Sequence, residues 1–153
     1  MLISNSMEET EEIGKEIGKE IDKKINKDKA LKQDSKKIQV LALFGGMGMG
    51  KTAITRGIAE YFGVRDQVCS PTFAIVNEYR GKKCDIYHFD MYRVHTEEDL
   101  ESTGFYDYLD KGVIIIEWSE NIKKFLPKGS ITICIEQGKD ENQRKIQIEG
   151  IEI

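Results

Sequence analysis

No apolar run in the 153-residue chain approaches the roughly 20 residues needed to cross a bilayer, which excludes a membrane-spanning helix. Met1-Leu2-Ile3 gives way at once to polar residues, so a hydrophobic signal core is missing and a cytoplasmic protein is expected. The three cysteines, Cys69, Cys84 and Cys134, are odd in number and widely spaced, with no C-x-x-C pair. That pattern argues against a disulfide framework or a cysteine metal site and for reduced thiols. Acidic residues outnumber basic ones outside one segment. Seven lysines and two aspartates between Lys23 and Lys37 carry +5, so the rest of a chain of net charge −4 carries −9. An acidic globular part argues against a broad nucleic-acid footprint, and the lysine stretch reads as a solvated connection. The length suits one domain with one sheet and its covering helices.

What is present is concentrated in Gly45-Gly46-Met47-Gly48-Met49-Gly50-Lys51-Thr52, which fits G-x-x-x-x-G-K-[ST] at every fixed position. The apolar run 38–44 before it reads as a buried strand, and residues 53–62 after it carry a helical pattern. Strand, glycine loop and helix are the context in which this motif wraps a polyphosphate in main-chain N–H groups at a helix N-terminus. Lys51 would reach the terminal phosphates and the Thr52 hydroxyl would join a magnesium shell.

Upstream, Ile13, Ile17, Ile21 and Ile25 recur four apart, which predicts an amphipathic helix over 7–25 followed by a lysine-rich connection over 26–37 and a core over 38–153. Gly14 and Gly18 weaken that helix by about 1 kcal/mol each, so its apolar stripe needs a sheet to lie on. Downstream, 74–79 and 84–90 flank a four-residue polar turn and predict an antiparallel hairpin. Thr96 with Asp99 marks a helix start, 113–117 a strand buried on both faces, and 131–135 with 145–148 a closing pair.

Two carboxylates end apolar strands: Asp90 after 86–89 and Glu117 after 113–116. Strand C-termini are where such folds bind ligands, so one carboxylate is placed to hold a metal and the other to orient a water. His88, two residues from Asp90 and on its face, is available to orient a site group or to serve as a structural histidine. Arg93 is available to a carboxylate or a phosphate, Trp118 reads as a packing anchor, and Ser70-Pro71-Thr72 reads as a switch loop whose Thr72 hydroxyl senses a γ-phosphate. The guanine signature is absent downstream of the loop, since N-K-x-D fails in spacing at Asn26-Lys27-Asp28-Lys29 and no D-x-x-G occurs. The five arginines (56, 65, 80, 93 and 144) form no cluster, unlike the arginine-rich lids of small-molecule kinases. An ATPase coupled to a partner fits best; a nucleotide-gated binding module and a small-molecule kinase are the alternatives.

Taken together, Gly45 to Thr52, Arg56-Gly57, Ser70-Pro71-Thr72-Phe73, His88-Phe89-Asp90-Met91-Tyr92-Arg93, Glu97 to Gly104 and Glu117-Trp118 resemble the TsaE family in order and spacing. The resemblance implies a single-domain α/β P-loop fold with a mixed parallel and antiparallel sheet flanked by helices. It implies slow ATP hydrolysis in threonylcarbamoyladenosine modification of tRNA, with Mg2+ and with TsaB-like and TsaD-like partners. It places Thr52 and Glu117 on the metal and Asp90 at the acidic position needed for hydrolysis. Thr10 would lie near the base, and Arg144 at a basic nucleotide contact. The family's usual loop interior is Asp-Leu-Gly-Ala, where this chain has Gly46-Met47-Gly48-Met49.

Overall fold

A computed structural model describes residues 1–31, 39–71 and 75–153. A single seven-stranded sheet organises them, in the order β1 (Leu2–Ser4), β7 (Arg144–Glu149), β6 (Ile131–Gln137), β2 (Gln39–Phe44), β5 (Val113–Glu117), β4 (Ile86–Asp90), β3 (Val76–Tyr79). The four central strands run parallel, while β1, β7 and β3 join antiparallel at the edges. The hairpin and the closing pair therefore form as the alternation predicts.

The continuous apolar run of β5 is buried along its whole length, and strand alternation divides it between two cores. Val113 and Ile115 join Leu41, Leu43 and Ile133 under α1 (Met7–Ala30) and α2 (Lys51–Tyr61). Ile114 and Ile116 join Val40 and Phe89 on the other face, beneath α3 (Glu97–Ser102), α4 (Phe105–Tyr108) and the 3-10 segment Ser119–Phe125.

Helix α1 begins at Met7 as expected but runs on to Ala30, so the lysine-rich stretch starts as helix. Lysine is a good helix former and its long stem tolerates an exposed face. Residues 32–37 of that connection, with residue 38 of the expected strand, lie outside the described residues. Ile17 and Ile21 are fully buried in the core, which answers the need of the isoleucine stripe for a surface. The glycines have a second reason to be there. α1 crosses α2 with Gly14 against Gly57, so closely that a Cβ on Gly57 would stand 2.0 Å from the Glu11 carbonyl oxygen.

At α3 the expected start is a complete capping box. The Asp99 N–H donates to Thr96 Oγ1 at 3.0 Å, and the Thr96 N–H donates to Asp99 Oδ2 at 3.2 Å. A further bond from the His95 N–H to Asp99 is the leading cause that holds this carboxyl below the usual aspartate range. A lowered folded value means the cap stabilises above the ordinary aspartate pKa of about 3.9 and is lost as pH falls through the lower one. Thr96→Ala is expected to cost about 1 kcal/mol in urea unfolding, and an unchanged midpoint would refute the capping role.

Candidate functional site

All four parallel strands end at one edge of the sheet, and the glycine loop emerges there from β2. The turn is built on glycine by necessity at two points. Gly45 has φ 145° and a Cβ there would meet the Ile135 carbonyl oxygen at 2.6 Å; Gly50, with φ 107°, swings the chain into α2. Gly46 is different, because its nearest neighbour to an added Cβ is Met49 Cγ at 3.8 Å, so a side chain fits.

Above the loop lies a cleft of about 560 Å³. Among the residues singled out from sequence, Thr10, Met47, Gly48, Met49, Gly50, Lys51, Thr52, Asp90, Glu117 and Arg144 line it. Gly45 and Gly46 form the entry to the loop and stand behind that lining, and Thr72 lies outside the described residues. Lys51 Nζ donates to the Gly45 carbonyl at 2.7 Å, closing the loop on itself. Asp90 and Glu117 are register partners at the ends of adjacent parallel strands. Asp90 Oδ1 accepts the Tyr92 N–H at 2.9 Å, and burial raises its carboxyl above the usual range.

Glu117 is only 5% exposed. Ser70 Oγ donates to its Oε2 at 2.7 Å, while His88 Nε2 approaches Oε1 at 3.4 Å, a polar contact short of a formed hydrogen bond. Burial pushes the Glu117 carboxyl up, but His88, Ser70 and Lys51 together outweigh it and hold the group below the ordinary glutamate value. The hairpin positions Ser70: Tyr79 and Asn77 of β3 donate to the carbonyl of its neighbour Cys69 at 3.1 and 3.2 Å.

Three side chains take parts that the sequence alone does not reveal. Arg144 Nε donates to the Met49 carbonyl at 3.0 Å, strapping the β6–β7 turn onto the loop. Thr10 is buried and its hydroxyl is engaged with Ser4 Oγ at 2.6 Å and the Ser6 carbonyl at 3.0 Å. Its methyl carbon lies 3.6 Å from the point a Cβ on Gly50 would occupy, so α1 touches the loop through it. Trp118, expected to be a packing anchor, sits in the left-handed region at φ 57° and lines the cleft with Tyr92 edge-on at 4.9 Å. A large side chain held in that conformation points to a functional constraint. Arg93, by contrast, is exposed and makes no ion pair among the described residues.

The three cysteines are free. No helix among the described residues is long and apolar enough to cross a membrane.

A glycine loop between a parallel strand and a helix, with acidic strand ends above it, defines a P-loop nucleotide-binding protein. The family model for threonylcarbamoyl adenosine biosynthesis protein TsaE matches residues 4–146. The tRNA threonylcarbamoyladenosine biosynthesis protein TsaE of Rickettsia felis is 35% identical over 149 residues, covering 97% of this chain and 78% of the relative. Its namesake in Haemophilus influenzae is 39% identical over 111 residues, covering 72% and 70%. The Bacillus subtilis protein of that name is 37% identical over 110 residues, covering 71% and 68%. The crystal structure of Bacillus subtilis YdiB superposes with a TM-score of 0.72 at 29% identity, covering 96% of this chain and 82% of that one. The chain belongs to the TsaE family, whose members serve the biosynthesis of threonylcarbamoyladenosine in tRNA.

Proposed function

We propose that this protein binds ATP with Mg2+ in the cleft and hydrolyses it, as the energy-coupling subunit of a cytoplasmic tRNA-modifying assembly with TsaB-like and TsaD-like partners. The observation that carries the reading is Glu117: a buried, ionised carboxylate on the cleft wall whose Oε1 has no hydrogen-bond partner among the described residues. Such an atom fits a cation. No group of three or more His, Cys, Asp and Glu is gathered to hold a metal among the described residues. The Glu117 carboxylate and the Thr52 hydroxyl, lining one cleft, fit Mg2+, which is usually held by one or two carboxylates and by substrate phosphates. Glu117 and Thr52 would hold the ion, which when bound neutralises charge on the β and γ phosphate oxygens.

The protein's own groups do the rest. The N–H groups of residues 45–50 and the α2 N-terminus receive the phosphates, and Lys51 moves from the Gly45 carbonyl to the terminal phosphate oxygens. Asp90, at the neighbouring strand end, orients the attacking water. Thr72 senses the γ-phosphate, with its neighbour Ser70 already tied to Glu117. Arg144 and Thr10 line the same cleft and would border the nucleotide, Thr10 near its base.

Glu117→Gln keeps the shape and removes the charge. It is expected to retain nucleotide binding in EDTA, to lose the gain in affinity on adding Mg2+, and to lower hydrolysis on the order of 100-fold or more. Unchanged turnover would remove Glu117 from this role. Coupling is tested by reconstitution with the two partners, ATP, threonine, bicarbonate and tRNA. Modified adenosine should depend on this chain, and equal yield without it would refute the coupling.

A further inference from the structure

His88 is fully buried in the middle of β4, yet neither ring nitrogen has a hydrogen-bond partner among the described residues. A polar ring left so in a core is costly, and packing alone would favour an apolar residue there. Its polar approach among the described residues is to Glu117 Oε1, itself without a hydrogen-bond partner among them, at 3.4 Å. The geometry is set by the sheet. β4 and β5 are parallel with His88 opposite Ile115 and Asp90 opposite Glu117, so the imidazole and the Glu117 carboxylate share one face on a diagonal between neighbouring strands.

The other carboxylate oxygen is held from a different element. Ser70 Oγ donates to Oε2 at 2.7 Å from the segment before the hairpin. Glu117 is thus pinned between a strand on one side and a loop on the other. An ionised carboxylate has about four acceptor sites, so two holders leave capacity on both oxygens. A glutamate left free would have to be ordered when a cation arrives, whereas one already fixed does not.

We propose that His88 is the positioning residue that fixes the Glu117 carboxylate for Mg2+, with Nε2 directed at Oε1 and Ser70 holding Oε2. This rests on the reading of Glu117 as a metal-holding residue. The role is orientation of a ligand by a neighbour that never touches the ion. Loss of such a neighbour typically costs 10- to 100-fold in metal affinity.

The test compares binding of a fluorescent ADP analogue in EDTA and in excess Mg2+ for wild type, His88→Leu, His88→Gln and Glu117→Gln. His88→Leu is expected to keep the EDTA affinity and lose about 10- to 100-fold of the magnesium-dependent gain. His88→Gln, which restores a donor, is expected to recover part of it. A purely structural histidine would change the melting temperature and leave the magnesium-dependent gain intact. If His88→Leu keeps the full gain while Glu117→Gln loses it, His88 has no such role and the Glu117 reading stands. If Glu117→Gln also keeps the gain, both readings fall. Should His88→Leu not fold, wild type decides by imidazole NMR. Mg2+ added to the ADP-loaded protein should move the His88 ring nitrogens, and Glu117→Gln should abolish the movement. Ring resonances that ignore the metal in wild type would overturn the proposal.

Discussion

Gly57→Ala is expected to destabilise the protein by about 3 kcal/mol, although alanine is worth about 1 kcal/mol more than glycine inside a helix. The added methyl has nowhere to go. Its carbon would lie 2.0 Å from the Glu11 carbonyl oxygen, 2.8 Å from Gly14 Cα and 2.9 Å from the Lys15 backbone nitrogen. All three are main-chain atoms, so no rotamer change relieves the clash and α1 must move away from α2. Moving it draws Ile17 and Ile21, both fully buried, out of the core over Leu41 and Leu43. For a chain of this size about 3 kcal/mol corresponds to a drop of roughly 6–12 °C in melting temperature. The damage should also reach the cleft, because Ser6, Met7 and Thr10 at the start of α1 form part of its wall. Gly46→Ala is the control, since its position is open, and it should melt within about 1 kcal/mol of wild type. If Gly57→Ala proves as stable as that control, the close helix crossing is refuted.

This crossing marks a boundary between what the sequence states locally and what only the fold assembles. The phosphate loop was legible because its spacing and its flanking strand and helix patterns are all local, and the strand-end positions of Asp90 and Glu117 because each terminates an apolar run. The hairpin, the capping box at Thr96 and the doubly buried β5 were legible for the same local reasons. Gly14 and Gly18 read as weak points in a helix, since nothing near them in the chain announces Gly57 and Tyr61 as neighbours. The short β1 strand exists only through its pairing with β7. Ser70 bonds to Glu117 across 47 positions and Arg144 to Met49 across 95, distances over which no periodicity carries information. Trp118 was half legible. It packs partly buried against the second core, as an aromatic beside a buried strand ordinarily does, and only its left-handed backbone shows that the ring also lines the cleft. The helix α1 ran past Ile25 because composition suggested a connection while lysine propensity favoured continuing the helix.

Lys51→Ala is expected to abolish measurable hydrolysis and weaken ATP binding on the order of 100-fold, with little effect on folding. The cleft contains three basic side chains, Lys51, Arg56 and Arg144. Arg56 is paired with Glu11 at 3.2 Å, and Arg144 donates to the carbonyls of Met49, Glu141 and Gln143. Lys51 alone of the three is held by a single carbonyl, that of Gly45, which a phosphate oxygen can replace. Without it a triphosphate would face Asp90, Glu117 and Glu141 on the cleft wall with no mobile cation to offset them. A charged hydrogen bond is worth about 1.5–3 kcal/mol, so loss of contacts to two phosphates accounts for roughly 100-fold in affinity at the low end of that range. Folding loses only one bond to a carbonyl at the loop's open edge, about 1 kcal/mol. Lys51→Arg should not rescue turnover, because a planar fork cannot replace a compact ammonium in a loop closed at 2.7 Å. Calorimetric titration with a non-hydrolysable ATP analogue, alongside thermal melting, separates the two effects. Unaltered affinity in a well-folded Lys51→Ala protein would mean that the phosphates lie elsewhere, and with them the roles given to Thr52, Asp90 and Glu117.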